Sequence, residues 1–400
     1  MEVRSFPPML RYGRARTPVL HFYFMATRVN RDSRSYIGQL FIIGFDGTEM
    51  SARLRSLLTR IQPAGVILFA RNITTAQQTY KLLRDCRACV SIPIFTCVDM
   101  EGGRVDRFRN VTGPSPSAAA VFGSNDHKLF RKHGKIIGES CRALGFNVDF
   151  APVVDLALKA SRAVMSSRAV SPDPQQVIVY AREFLAGLRS AGVIGAAKHF
   201  PGLGEANLDT HHELPRVKKS FSGLWSQDLI PYRTMRRELP MVLVGHANYP
   251  AVTPDGTPAS LSKKWISQVL RQKIGYRGLV VSDDLEMGGV LKAGPIEQAA
   301  IQHIRAGGDL CLICHEEEGI LRSYEALIHE AERDRKFTQR VKESAARVLA
   351  FKKKSVQLKR AAPPPKPAKI EKLCRALWEF GEQVRIEAIK QQNFDGQDQA

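Results

Sequence analysis

The sequence predicts a single (β/α)8 TIM-type barrel with a proline-linked C-terminal helical tail, and three observations carry that expectation. Eight short apolar, β-branched runs recur along the chain: "QLFIIGF", "AGVILFA", "IPIFTCVD", "NVDFAPVVD", "VIGAAKHF", "MVLVGHANYP", "GLVVSDDLEM" and "DLCLICH". Segments of helical character separate them, the alternation that parallel strands need for their crossovers. Polar residues suited to chemistry stand at the ends of several runs, where the loops of such a barrel converge over one mouth.

Taken in order, residues 1–34 hold scattered arginines and one short apolar run interrupted by His21 and followed by Arg28. They are expected to be a disordered lead, with Met25 an alternative start. The barrel is expected over residues 35–354. Among its crossovers, "SLSKKWISQVLRQKIGYRG" reads as a helix with Ser260 as N-cap and a glycine before the next strand. Residues 355–400 then contain "AAPPPKPAK", a stiff extended linker, and a helix with Leu373, Leu377, Phe380 and Val384 on one face. That stripe is expected to dock on the barrel or on a sister subunit.

The net charge of +20 raises the question of a nucleic-acid partner. Much of the excess lies in the tails, and no recognisable nucleic-acid-binding motif accompanies it, so no specific nucleic-acid function is expected. No apolar run approaches the roughly eighteen residues of a membrane span, so no membrane partner is expected either. Seven cysteines, an odd number without a small-domain framework, point to reduced thiols in the cytoplasm. "CLICH" and "CRAC" formally match haem and zinc patterns, but they fall in an apolar strand and a helical stretch. No metal and no cofactor are therefore expected.

At the strand ends, "DMEGGRVDRF" carries Asp99, Arg104 and Arg107, and "MSSRAV" carries Arg168. Lys198 and His199 end one run, His246 another, and Asp283 with Asp284 a third, while Asp209 and His211 stand on the long loop after His199. Each has a structural alternative: an ion pair, a helix cap for Asp284, a satisfied core histidine for His246. Agreement at five strand ends outweighs these singly. The chemistry they suit is retaining glycoside hydrolysis, in which a carboxylate attacks the anomeric carbon and a second group first donates and then removes a proton. Asp283 or Asp284 supplies the carboxylate, and strand alternation allows only one of them to face the barrel axis. His211, with an unperturbed pKa of about 6.5, suits the proton transfers, and Asp209 is placed to orient its ring. His212 is expected to be structural.

The motifs "DMEGGRVDRF", "FAPVVDL", "KHFPGLGEANLDTHHELP", "VGHANYP", "ASLSKKWISQVLRQKIGYRGLVVSDDLEM" and "AGGDLCLICH" resemble family 3 glycoside hydrolases, specifically their single-domain β-N-acetylhexosaminidases, in collinear order from about residue 37 to 351. The resemblance implies that Asp283 is the nucleophile and His211 the acid/base, with Asp209 its partner. It further implies that Asp99, Arg107, Arg168, Lys198 and His199 hold the sugar, and that the substrate is terminal β-linked N-acetylglucosamine of peptidoglycan fragments. The chain departs from the family pattern at Leu203 and Glu205, and around Arg168, where it reads "SSRAVS". A β-glucosidase, a phosphorylase of the same family and a non-catalytic sugar-binding barrel are the competing readings. The oligomeric state is not legible.

Overall fold

The computed structural model describes residues 36–206, 214–292 and 294–397. Eight parallel strands close into a barrel in sequence order: β1 Phe41–Ile43, β2 Gly65–Ile67, β3 Phe95–Val98, β4 Val148–Asp149, β5 Ile194–Phe200, β6 Met241–Val244, β7 Leu279–Asp284 and β8 Leu310–Ile313. Closure is direct, for β1 pairs with both β2 and β8. The strands are mostly apolar, apart from polar residues chiefly at their C-terminal ends, because alternate side chains serve two cores. Ile42, Met241, Leu243, Leu310 and Leu312 fill the lumen, while Phe41, Ile43, Val242, Val244, Cys311 and Ile313 pack outward against the helices.

Local chemistry sets where the crossover helices begin. Ser51, Thr75, Asp126 and Asp173 each turn a side-chain oxygen onto a backbone N–H of the first turn, the bond that satisfies an otherwise orphaned donor. The helix after β6 departs from expectation. It spans Lys264–Lys273 with π-helical winding, and Ser260 does not cap it. Ser260 is buried and bonds His246 Nδ1 at 2.6 Å, whereas Ser262 Oγ accepts the Trp265 N–H at 3.4 Å. A buried imidazole needs a partner more than a helix start with a second serine at hand.

Helix Arg335–Lys354 lays Val348 and Phe351 against the lumen residues. Lys352 from the same helix is buried there, its Nζ donating to Gln39 Oε1 at 2.7 Å and lying 5.1 Å from the Phe95 ring centre. The C-terminal helix, Pro367–Gln397, folds back on the barrel's own flank. Leu373, Leu377, Phe380 and Val384 are all buried, and Phe380 stacks on His133 with ring centres 5.7 Å apart. The apolar stripe thus meets this chain's barrel. Among the described residues, no helix is long and apolar enough to cross a membrane. The expectation for residues 1–34 lies outside the described residues.

Candidate active site

The C-terminal ends of β3, β5 and β7 and the loop after β4 bring their polar residues into one cluster. At the end of β3, Asp99 Oδ1 accepts from Lys198 Nζ at 2.6 Å, and Glu101 two residues on lies 2.7 Å from the same ammonium. Arg168 closes the set with a two-pronged bond to Glu101, both N···O distances being 2.8 Å. Two carboxylates and two cations thus neutralise one another almost out of contact with water, the condition under which buried charge is tolerated. Burial alone would raise the Glu101 pKa, but Arg168 and Lys198 hold it well below the usual carboxylate range. Lys198 and Arg168 respond in mirror image: burial would lower both, and the neighbouring carboxylates raise them.

Asp283 and Asp284 close β7 and diverge, as strand alternation requires. Asp283 Oδ1 accepts the Asp284 N–H at 3.0 Å. Burial would raise its pKa, yet His246, His199, that N–H and Lys198 bring it below the ordinary value. Asp284 faces the rim, where Oδ2 stands 3.4 Å from His315 Nδ1. His246 is fully buried beneath this turn, with Nε2–H donating to the Asp284 carbonyl at 2.8 Å and Nδ1 accepting from Ser260. It is the satisfied core histidine of the structural alternative, and it braces the backbone that presents Asp283.

Lys198 and His199 are joined by a cis peptide. His199 is buried, its Nδ1 bonds Asp155 Oδ2 at 2.7 Å, and its Nε2 lies 3.4 Å from Arg168 Nη2. Arg107 is only partly buried and joins none of these bonds among the described residues. Its guanidinium lies 5.5 Å from the centre of the Phe69 ring, which stacks on His315 on the other side of the site. Among the described residues the ion-pair partner of Asp99 is Lys198, not Arg107.

The root of the following loop is held by close contacts. Gly202 is a requirement of fit. Gly202 has φ +135°, and a Cβ there would come within 2.8 Å of Asp228 Cβ. Its carbonyl accepts from Tyr249 Oη at 2.7 Å, and the Leu203 N–H donates to Asp155 Oδ1 at 2.7 Å. Asp209, His211 and His212 come after this root and lie outside the described residues.

One group of described residues presents metal-ligand atoms together, namely Asp284, Glu286 and His315, within 4.8 Å of one another. Glu286 already accepts the backbone N–H groups of Cys314, His315 and Glu316 at the start of helix Glu317–Arg333. His315 sits between the two carboxylates, and its pKa is raised chiefly by the bond to Asp284. The arrangement reads as a helix cap and an ion pair. All seven cysteines are free thiols, with Cys311 facing the helices and Cys314 the lumen, so these two do not share a face.

Glu101 and Asp155 were not among the residues the sequence singled out. Glu101 has the same parity as Asp99, two residues earlier, and Asp155 ends the fourth apolar run; these are the signals that could have found them. Comparison with known proteins agrees with the geometry. The profile of the Glycosyl hydrolase family 3 N terminal domain matches residues 33–351. A protein named Beta-hexosaminidase from Xanthomonas oryzae pv. oryzae is 37% identical over 285 residues, covering 70% of this chain and 84% of its own. The solved structure of a family 3 β-N-acetylglucosaminidase from Paenibacillus sp. str. FPU-7 is similar with a TM-score of 0.81 and 31% identity, over 87% of this chain and 68% of that one. A β-N-acetylhexosaminidase from Beutenbergia cavernae, with a TM-score of 0.73 and 26% identity, is matched over 80% of this chain and 98% of its own. The barrel, the strand-end cluster and these matches together make the chain a member of glycoside hydrolase family 3.

Proposed function

We propose that the protein is a retaining, exo-acting β-N-acetylhexosaminidase that removes terminal β-linked N-acetylglucosamine, with peptidoglycan fragments as its substrates. The observation that carries this is Asp283: a buried strand-end carboxylate that turns away from Asp284 and whose pKa stays below the ordinary value despite burial, in a chain whose relatives bear hexosaminidase names. In the first step the Asp283 carboxylate attacks the anomeric carbon, while His211, oriented by Asp209, gives its proton to the departing glycosidic oxygen. In the second, His211 takes a proton from water, water attacks the anomeric carbon, and the bond to Asp283 breaks. Asp99, Lys198, Arg168, His199 and Arg107 hold the sugar, offering both donors and acceptors to its hydroxyls. Seven free thiols support a reducing, cytoplasmic setting.

The test compares turnover of an aryl β-N-acetylglucosaminide with that of an aryl β-glucoside, in phosphate and in phosphate-free buffer. A strong preference for the acetamido sugar and release of free N-acetylglucosamine in both buffers is expected. Preference for the glucoside contradicts the substrate, release of sugar 1-phosphate contradicts hydrolysis, and binding without turnover contradicts catalysis.

A further inference from the structure

We propose that Asp155 is a positioning residue for this reaction, acting through His199, whose proton it fixes on Nδ1 so that Nε2 remains an acceptor, its lone pair facing Arg168 at 3.4 Å until a sugar hydroxyl takes it. The inference rests on the sugar-binding reading of His199 given above.

The argument comes from what the two neighbours of the imidazole are able to do. Asp155 Oδ2, 2.7 Å from Nδ1, also takes the backbone N–H of His199 at 3.1 Å, and Oδ1 takes the N–H of Leu203 at 2.7 Å. A carboxylate serving three N–H donors acts as an acceptor, so the ring nitrogen facing it carries the proton. On the other side, Arg168 Nη2 lies 3.4 Å from Nε2, and a guanidinium has only donors. An Nε2–H there would set two donors against each other. Both neighbours therefore select one tautomer of the neutral ring. Arg168 is itself locked by Glu101, so Nε2 is fixed in direction as well. The sugar cleft then presents two acceptors for hydroxyl protons, Asp99 and His199 Nε2, beside the donors Lys198 and Arg168. A ring free to flip, or protonated on Nε2, would offer a donor in place of that acceptor and misread the sugar. Asp155 does not touch the substrate in this scheme. Its single carboxylate ties the sugar-reading histidine to Leu203, at the root of the loop that follows.

The deciding measurement is made on the wild-type protein: nitrogen-15 NMR of histidine-labelled enzyme at a pH where the ring is neutral, with His199 assigned by loss of its signals in His199→Gln. Protonated Nδ1 and unprotonated Nε2 are expected, and a proton on Nε2 would overturn the proposal. Asp155→Asn, whose amide donates as well as accepts, should abolish this signature. It should also lower kcat/KM on the aryl N-acetylglucosaminide roughly ten- to a hundredfold, the scale on which a group orienting a functional histidine acts. In a His199→Ala background the same change should cost no more than about twofold, since the two act as one unit. Full additivity would show that Asp155 acts by some other route and would also overturn it. Should Asp155→Asn not fold, the wild-type spectrum decides. Should the wild type not cleave this sugar at all, the functional reading fails while the spectrum still decides this one.

Discussion

Replacing Glu101 by Gln would leave the ammonium of Lys198 and the guanidinium of Arg168 facing one remaining carboxylate, that of Asp99, in a setting where Glu101 and Lys198 are each 4% exposed. Removing one partner from a buried ion cluster costs about 3–5 kcal/mol, because the other charges lose compensation they cannot recover from water. A folded unit the size of this barrel has an unfolding entropy of about 0.7 kcal/mol/K, from about 2.1 cal/mol/K per residue, so the substitution should lower Tm by about 4–7 °C. The pH dependence gives a sharper readout. The folded-state pKa of Glu101 is depressed, so its stabilising contribution is present above the unfolded carboxylate value and lost as pH falls through the folded one. The stability gap between wild type and Glu101→Gln should therefore be constant above about pH 5 and narrow below about pH 4.3. Calorimetric scans across pH 3–8, run beside KM for the aryl N-acetylglucosaminide, measure both. A variant within about 1 °C of wild type, with unchanged KM, would refute the reasoning that this carboxylate organises the sugar site.

Lys352 is the reverse case, since burial pushes its pKa down to about 7. Between that value and its unfolded one the unfolded chain binds more protons, so stability rises with pH across this window, and the penalty is full below it. Lys352→Met should therefore stabilise by up to about 5 kcal/mol near pH 6 and by progressively less toward pH 10, and a gap independent of pH in thermal scans would contradict this. Asp209→Ala and His211→Ala should each slow turnover of a natural disaccharide by orders of magnitude, and the double variant little further; additive losses would break the proposed dyad. Activity should survive a chelator, and loss of turnover that zinc restores would instead give the group at Asp284, Glu286 and His315 a functional role.

The barrel was readable because buried parallel strands leave uninterrupted apolar runs, and strand-end chemistry because it follows those runs directly. What the sequence did not disclose depends on contacts between distant segments. Glu101 reaches Arg168 across 67 positions, and Asp155 reaches His199 across 44. Ser260 illustrates the same limit, for a serine before a helical pattern reads as a local cap, yet its partner is His246. Gly202 answers to the bulk of Asp228, a neighbour that sequence order does not reveal. Arg107, grouped by resemblance with Asp99 as a sugar ligand, shares no bond with it among the described residues and has Phe69 as its neighbour. The separation of Asp283 from Asp284 shows resemblance and geometry working together: the first names one residue, and the second turns them toward different neighbours.

The central claim is that Asp283 forms the covalent bond to the sugar, and trapping that bond tests it most directly. Wild-type enzyme would be inactivated with a 5-fluoro derivative of N-acetylglucosaminyl fluoride, which slows both steps but leaves a good leaving group, then digested and analysed by mass spectrometry. The account predicts one added sugar on the peptide spanning residues 278–287, with fragmentation placing it on Asp283 and no labelling in Asp283→Ala. A label on Asp284 or Glu286, or inactivation that leaves this peptide unmodified, would contradict it.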